Sequence, residues 1–338
     1  MQEIFSLYGW KVDSYAPIQQ GLINSTYSIQ TNKGAYILQC INHSVFKNPS
    51  AIDDNINAIS SYLQINYPSY LFTHLVPTLN GNTLVQWEGG YYRAFHKIEG
   101  YALSVLDNEN QVEQAAMQFA GFTSILKNFE ASQLKDSLPD FHNLNLRYHQ
   151  FSEAIVKGNA QRIAETKEAI SFLAAHKKYV DIYSAFIHHA EVKKRVTHHD
   201  TKISNVLFQK NNGIEKAICV IDLDTVMAGY FISDVGDMCR TCLCKVSEEE
   251  KDLNKVVVDA AKWKALEKGY LHFMQDELSS FERDHFFYGG QFMIYMQALR
   301  FLTDHLNNDI YYGAKYEGQN LVRTLNQIRL LEQYNKLN

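Results

Sequence analysis

The 338-residue sequence contains no apolar run near the ~18 residues that a membrane-spanning helix requires, so no transmembrane segment and no membrane partner are expected. It has no basic stripe. The formal net charge is −5 with acids and bases interspersed, which argues against a nucleic-acid partner. The opening residues, MQEIFSLYGWKVD, carry an acid at Glu3 and no basic segment ahead of a long apolar run, so no secretory leader is expected. Cysteine is sparse and odd in number: Cys40, Cys219, Cys239, Cys242 and Cys244 imply reduced thiols and a cytoplasmic setting. Three of them form a C-x-x-C-x-C cluster, but no fourth ligand follows at a spacing typical of structural zinc. The expectation is small apolar side chains on a buried helix. Repeats, low-complexity segments and disordered tails are also missing. What remains has the apolar content of an ordinary globular protein, long enough for two domains or one large two-lobed unit.

Two textures divide the chain. Residues 1–95 look strand-rich. STYSIQTNKGAYILQCI reads as strands Ser25–Gln30 and Ala35–Ile41 around a tight turn at Asn32-Lys33-Gly34. A helix follows, with Asn48 as N-cap, Pro49 at its first position, and Ile52, Ile56, Ile59 and Leu63 at helical spacing. Three more strands are expected in LFTHLVPTLNGNTLVQWEGGYYRAFHKI, with turns at Asn80-Gly81 and Gly89-Gly90. Beyond EGYALSV the pattern is helical: 111–129, Arg147–Lys157, Ala160–Lys177, Asn254–Gln275, Phe281–Leu306 and Asn320–Leu331. Within that half only NVLFQ and AICVIDL read as strands, a short hairpin flanked by polar residues. The resulting expectation is a small β-rich N-terminal lobe (1–95), a connector (96–100) and a larger, mainly helical C-terminal lobe (101–338), with a small-ligand cleft between the lobes.

The hairpin carries the chemistry. RVTHHDTKISNVLFQ packs His198, Asp200, Lys202 and Asn205 into one short run, and Asp222 and Asp224 follow in CVIDLDT. A hairpin folded on itself brings Asn205 and Asp222 together, and two oxygen donors suit a hard cation such as Mg²⁺ with phosphates completing its shell. Asp200, on the preceding loop, would face the incoming nucleophile as base. Lys202 would neutralise charge on a transferring phosphoryl group. Base, metal pair and cation form the template of phosphoryl transfer, and D-x-K-x-x-N is the spacing of a protein-kinase catalytic loop. Asp224 stands open between a second metal ligand and a loop acid. His198 is expected to brace the loop, Asp234 to bond backbone amides of that loop, and Asp237 to sit at a helix end.

These residues, THHDTKISNVLF, VIDLDT and DVGD, resemble the aminoglycoside phosphotransferase and choline kinase superfamily, relatives of protein kinases. The segments GLINSTYSI, YILQCIN, FEASQL, DFHNLNLRY and ALRFLTDHLNNDIYY resemble the N-acetylhexosamine 1-kinases within it. The resemblance implies an α+β, bilobal, protein-kinase-like fold using ATP and Mg²⁺. By it, Asp200 is the base, with Lys202 beside it, and Asn205 and Asp222 hold the metal, with Asp224 a possible second-metal or sugar contact. Gly21, Asn24 and Thr26 belong to the loop over the phosphates, and the backbone at Lys97, Ile98 and Glu99 faces adenine. Arg300 and Asp304, four apart on one helix, would bracket the sugar, or else form a plain ion pair.

Departures from the protein-kinase pattern matter. The nucleotide loop has one glycine, Gly21. Gln39 stands in the nucleotide site where a phosphate-pairing lysine is usual, and the next helix offers Asp53 and Asp54 rather than glutamate. Losing both members of an ion pair together is coherent, since either alone would be an uncompensated charge. No Ala-Pro-Glu segment points to a protein substrate, and no P-loop motif occurs. The expected activity is transfer of the γ-phosphate of ATP to the anomeric hydroxyl of an N-acetylhexosamine, a small-molecule sugar substrate. Two alternatives stand: another acceptor (aminoglycoside, choline, homoserine), or a nucleotide-binding pseudokinase that regulates a partner.

Overall fold

The computed structural model describes residues 1–18 and 23–338. The chain opens with helix α1 (Gln2–Leu7) and strands β1 (Val12–Ile18), β2 (Ser25–Thr31) and β3 (Gly34–Ile41). Helix α2 (Pro49–Asn66) precedes β4 (Leu84–Trp87), β5 (Gly90–His96) and the short β6 (Tyr101–Ala102). Helices α3 (Glu109–Ile125), α4 (Leu144–Lys157), α5 (Ala160–Glu165), α6 (Lys167–Ala175) and α7 (Lys178–Ile187) follow. Next come β7 (Arg195–Thr197), the hairpin β8 (Val206–Asn211) and β9 (Ile214–Val220), and β10 (Met227–Gly229). Helices α8 (Phe231–Cys242), α9 (Ala260–Met274), α10 (Ser280–Asp284), α11 (Phe286–Leu306) and α12 (Gln319–Tyr334) occupy the remainder. No helix among the described residues is long and apolar enough to cross a membrane. The α+β class with a β-sheet N-terminal region and a helical C-terminal region is the one expected.

The chain forms two compact units. The first holds residues 1–102, 126–139 and 205–228; the second holds 103–125, 140–204 and 229–338. The hairpin expected within the helical part therefore groups with the first unit, where β8 pairs with both β6 and β9.

In the first unit, a five-stranded antiparallel sheet runs β1-β2-β3-β5-β4. The tight turn between β2 and β3 is present, with Thr31 opposite Gly34. Ile4, Phe5, Trp10, Ile29, Leu38 and Ala94 form an apolar cluster on it. Helix α2 begins as its sequence dictates: the Asn48 side chain accepts from Ala51 N, and Pro49 takes the first position, where its missing N–H costs nothing. Ile52, Ile56, Ile59 and Leu63 form its buried stripe. Of the three strands expected over 71–98, two form; the third reduces to one bridge, Leu75 to Phe95.

The second unit is built on α11, which buries 17 of its 21 residues against α4, α8 and α12. The close approach of α8 depends on Gly236: a Cβ there would lie 2.4 Å from the Gly289 carbonyl oxygen. The helix expected over Ala160–Lys177 is divided at Thr166 (φ −112°, ψ 20°), whose N and Oγ1 both donate to the Arg162 carbonyl oxygen. The one expected over Phe281–Leu306 is divided at His285, after a capping box at Ser279 and Glu282. Helix α8 is the buried helix expected for the cysteine cluster, though its extent was not read from the sequence: ten of its twelve residues are buried, and even its polar stripe, Ser233, Asp234 and Asp237, is turned inward. Cys239 and Cys242 lie buried on it, and Cys244 just beyond is half-buried. Burial pushes the Cys242 thiol up to about 12, and Cys239 Sγ lies 3.8 Å from the Tyr334 hydroxyl.

Candidate active site

In the second unit, β7 leads into the Asp200 loop. Asp234, fully buried on α8, holds that loop from beneath: its carboxylate accepts from His198 N (3.1 Å) and His199 N (2.8 Å). Its backbone carbonyl takes the Thr201 hydroxyl at 2.7 Å. Burial pushes the Asp234 carboxyl up to about 7 against the pull of the two amides. His199 adopts a positive φ of 65°, a strained conformation for this residue type, which turns the chain into Asp200. The turn has room only because residue 229 is glycine: a Cβ there would stand 2.3 Å from His199 Nε2 and 3.1 Å from Thr197 Cβ. His198 packs its ring on Phe119 (5.2 Å), and its Nδ1 accepts from Asp200 N at 3.4 Å, the bracing expected of it.

The loop presents Asp200 with its side chain 24% exposed, paired to Lys202 at 2.6 Å. Asp237 is not at a helix end. It lies inside α8, buried and bonded to Arg240 (2.9 and 3.0 Å). Its second oxygen is buried with no hydrogen-bond partner among the described residues. Burial raises its pKa, Arg240 opposes that, and the nearby Asp200 charge adds to it.

In the first unit, the hairpin register sets Val206 opposite Val220, and Ile221 N donates to Asn205 O at 2.9 Å. Asn205 and Asp222 thus stand at one end of the hairpin. Asp222 is left-handed (φ 61°, ψ 64°), a conformation that the short polar side chains tolerate best. The chain beyond it is tied to α2 by Asn55, which donates to Val226 O and Lys135 O and accepts from Lys135 N. Asp224 is 2% exposed, and both its oxygens are engaged: one by Asn24 Nδ2 (2.6 Å), the other by the Arg93 guanidinium.

The expected nucleotide-site residues fare unevenly. Gly21 lies outside the described residues. Asn24 is drawn to Asp224 at one end and accepts from Asn42 N (2.9 Å) at the other. Thr26 Oγ1 accepts from Gln39 Nε2 at 3.3 Å, and Gln39 Oε1 accepts two bonds from Arg93. Lys97 N bonds Ala35 O, Lys97 Nζ lies 3.7 Å from Glu99, and Glu99 O accepts from Gln209.

Arg300 and Asp304 both line a cavity of about 390 Å³ in the second unit, with Arg147, Thr303, Tyr311 and Tyr312. They have separate partners. The Arg300 guanidinium lies over Phe141, Tyr311 and Tyr312, 5.4–5.7 Å from their centroids. Asp304 accepts from the Tyr311 and Tyr312 amides and from Asn320, so it shapes the loop that carries the two tyrosines. Phe141 stacks on His142 (4.4 Å), which lies 5.4 Å from His199, so this cavity adjoins the Asp200 loop through packed rings.

Sequence reasoning missed Arg93, Asn55 and Gly229. Only Arg93 left a trace, a lone cation in the otherwise apolar and aromatic strand GYYRAFH.

An acid on a loop carried by a buried helix-borne aspartate, followed by a hairpin with amide and carboxylate at one end, defines a protein-kinase-like phosphotransferase. The chain belongs to the phosphotransferase enzyme family (APH), whose profile matches residues 14–262. Its fold is similar to that of spectinomycin phosphotransferase APH(9)-Ia, solved with ADP and spectinomycin. That likeness covers 98% of this chain and 97% of the other, with a TM-score of 0.62 and 12% identity. It is similar also to amicoumacin kinase hAmiN, in complex with AMP-PNP, Ca²⁺ and Ami (100% and 96% covered, TM-score 0.66, 13% identity). The microcompartment-associated aminopropanol kinase gives a TM-score of 0.65 at 14% identity, covering 99% and 96%.

Proposed function

We propose that this phosphotransferase moves the γ-phosphate of ATP to the anomeric hydroxyl of an N-acetylhexosamine, GlcNAc or GalNAc, giving the sugar 1-phosphate and ADP. The observation that carries the reading is the Asp200 loop: a partly exposed carboxylate on a strained backbone fixed by Asp234. Nucleotides in the related kinase structures, ADP in one and AMP-PNP in another, support ATP as donor.

In this mechanism Asp200 accepts the proton of the anomeric hydroxyl as that oxygen bonds to the γ-phosphorus. The bond from γ-phosphorus to the β–γ bridging oxygen breaks, and ADP departs. The anomeric hydroxyl is more acidic than an ordinary alcohol, so a carboxylate suffices as base. Lys202, in contact with Asp200, offsets charge on the transferring group. Asn205 and Asp222 fit a hard divalent ion: both offer oxygen, one as an amide and one as a carboxylate, from one hairpin end. Mg²⁺ held there would neutralise phosphate charge. Asp224, given in full to Asn24 and Arg93, is better suited to support this end than to ligate. In the nucleotide loop, Asn24 would offer its backbone amide and Thr26 its hydroxyl to phosphate, with adenine near Lys97, Ile98 and Glu99.

The Arg300 cavity is our acceptor site. Its volume lies in the range of about 300–1,000 Å³ usual for small-molecule sites. Aromatic faces suit the C–H face of a sugar, and a guanidinium suits its hydroxyl and acetamido oxygens. The same features oppose the alternatives. Arg147, Lys157 and Arg300 outnumber Glu153 and Asp304 in the lining, an unfavourable field for a polycationic aminoglycoside. The same positive balance in the lining is unfavourable to a quaternary ammonium acceptor.

The test is ADP release across GlcNAc, GalNAc, aminoglycosides, choline and homoserine, with phosphorus NMR to locate the new ester. Phosphate at C1 of an N-acetylhexosamine is expected. Turnover confined to amines or homoserine would overturn the sugar assignment, and ATP binding without turnover of any acceptor would favour a pseudokinase.

A further inference from the structure

Gln39 occupies the β3 position where protein kinases carry the lysine that pairs with nucleotide phosphates, so a triphosphate bound to the first unit needs its cation from elsewhere. We propose that Arg93, on the neighbouring strand β5, is that cation, meeting the nucleotide phosphates with Asp224 as its counter-ion and Gln39 as its fixed hydrogen-bond partner. The inference rests on the ATP-binding reading above.

Strand register places it. Thr26 pairs with Gln39 across β2 and β3, and Gln39 pairs with Arg93 across β3 and β5. Directly paired residues project from the same face, so the three side chains form one row. Arg93 Nε and Nη2 donate to Gln39 Oε1 at 3.1 and 2.9 Å, Gln39 Nε2 donates to Thr26, and Nη2 also bonds Asp224. Gln39 thus acts as a spacer in the lysine's usual place, and the positive charge is displaced by one strand.

The guanidinium also keeps a donor in reserve. Arg93 is 1% exposed, and its Nη1 is buried without a hydrogen-bond partner among the described residues. A buried donor of a charged group left unpaired is costly, and an anionic oxygen would satisfy it. Asp224 balances the net charge, so what the guanidinium offers a phosphate brought to this face is the directed Nη1 bond, strengthened away from water.

The acidic partner has moved as well. Asp53 on α2, the helix that supplies the paired glutamate in protein kinases, senses the Arg93 charge but bonds Thr83 (2.8 Å) and Asn57 (3.1 Å). The ion-pair partner is Asp224 instead. Asp224 also holds Asn24 and lies two residues past Asp222. One buried ion pair therefore joins the row of strand residues to the hairpin end that would hold the metal.

Calorimetric titration with ATP, and separately with adenosine, tests this on the full chain. Arg93→Met risks misfolding by stranding Asp224, so the decisive variant is Arg93→Met/Asp224→Asn, which removes both charges together. We expect its Kd for ATP to rise about tenfold or more while its Kd for adenosine stays within about twofold of wild type. Arg93→Lys, which keeps the charge, should bind ATP within about fivefold of wild type. Gln39→Lys combined with Arg93→Met returns the cation to β3 and should recover most of the lost affinity. Wild-type ATP affinity in the double variant would overturn the proposal. So would equal loss of ATP and adenosine binding, which marks a merely structural arginine. A wild-type protein that binds no nucleotide is a different failure, that of the ATP reading itself.

Discussion

Asp234, under the Asp200 loop, and Asp224, at the end of the β8–β9 hairpin, are both buried aspartates, yet their charge is handled in opposite ways. Asp234 has two backbone amides and, among the described residues, no cation bonded to it, and burial lifts its pKa to about 7. Asp224 has a guanidinium on one oxygen and an amide side chain on the other. The first carboxylate is a fixture for backbone: it fastens a loop whose shape is already specified by a left-handed His199 and the absent side chain of Gly229. The second is a fixture for charge. The difference teaches that a buried acid can serve geometry or electrostatics, and that its partners, not its burial, reveal which.

The largest effect that would break this comparison is on chemistry. Asp200→Asn should lower kcat by about 10²–10⁴-fold, as for other general bases, with ATP affinity nearly unchanged. Single-turnover kinetics beside calorimetry would check it, and parallel loss of ATP binding would contradict the assigned role. Next comes stability at the charged fixture. Arg93→Met strands a buried carboxylate and should cost about 3–5 kcal/mol, whereas adding Asp224→Asn should restore much of that loss. Chemical denaturation of the single and double variants measures the coupling.

Smaller effects sharpen the backbone side. Gly229→Ala forces its Cβ against His199 and should reduce kcat about tenfold or more through displacement of Asp200, with ATP affinity preserved. The smallest is a pH effect. The Asp234 pKa is raised from 3.8 to about 7, so the folded state holds this proton where the unfolded chain has released it. Its contribution to stability therefore falls as pH rises from about 4 to about 7, and is level above that. Thermal melts across pH 5–8 should show this slope in the wild type and lose it in Asp234→Asn.

Much of the fold was legible because local rules and tertiary packing agreed. Asn48-Pro49 with the Ile52, Ile56, Ile59 and Leu63 stripe marks α2, and Asn32-Lys33-Gly34 marks the β2–β3 turn. The failures have physical causes. Thr166 and His285 interrupt apolar patterns whose period continues across them, so two helices read as longer than they are. Helix α8 turns polar as well as apolar positions inward, so its sequence does not show that Asp237 lies in the helix interior, buried beside Arg240, rather than at a helix end. In the candidate site, the spacing of Asp200, Lys202, Asn205 and Asp222 pointed to one loop and its hairpin because these are contiguous in sequence, and the structure sets Asn205 and Asp222 at one end of that hairpin.

What the sequence determined by itself is local and periodic: many of the strands and helices, the polar run around Asp200, and the hairpin that has Asn205 before its first strand and Asp222 after its second. Only the tertiary structure decided that Arg93 and Asp224, 131 positions apart, neutralise one another. It alone decided that Asp234 reaches back to the amides of His198 and His199, and that Asp304 serves a loop instead of Arg300. The reason is that a charge finds its partner through space. Removed from water, each ionised or hydrogen-bonding group must be matched by whatever the packed chain brings within about 3 Å, and sequence distance places no limit on that choice.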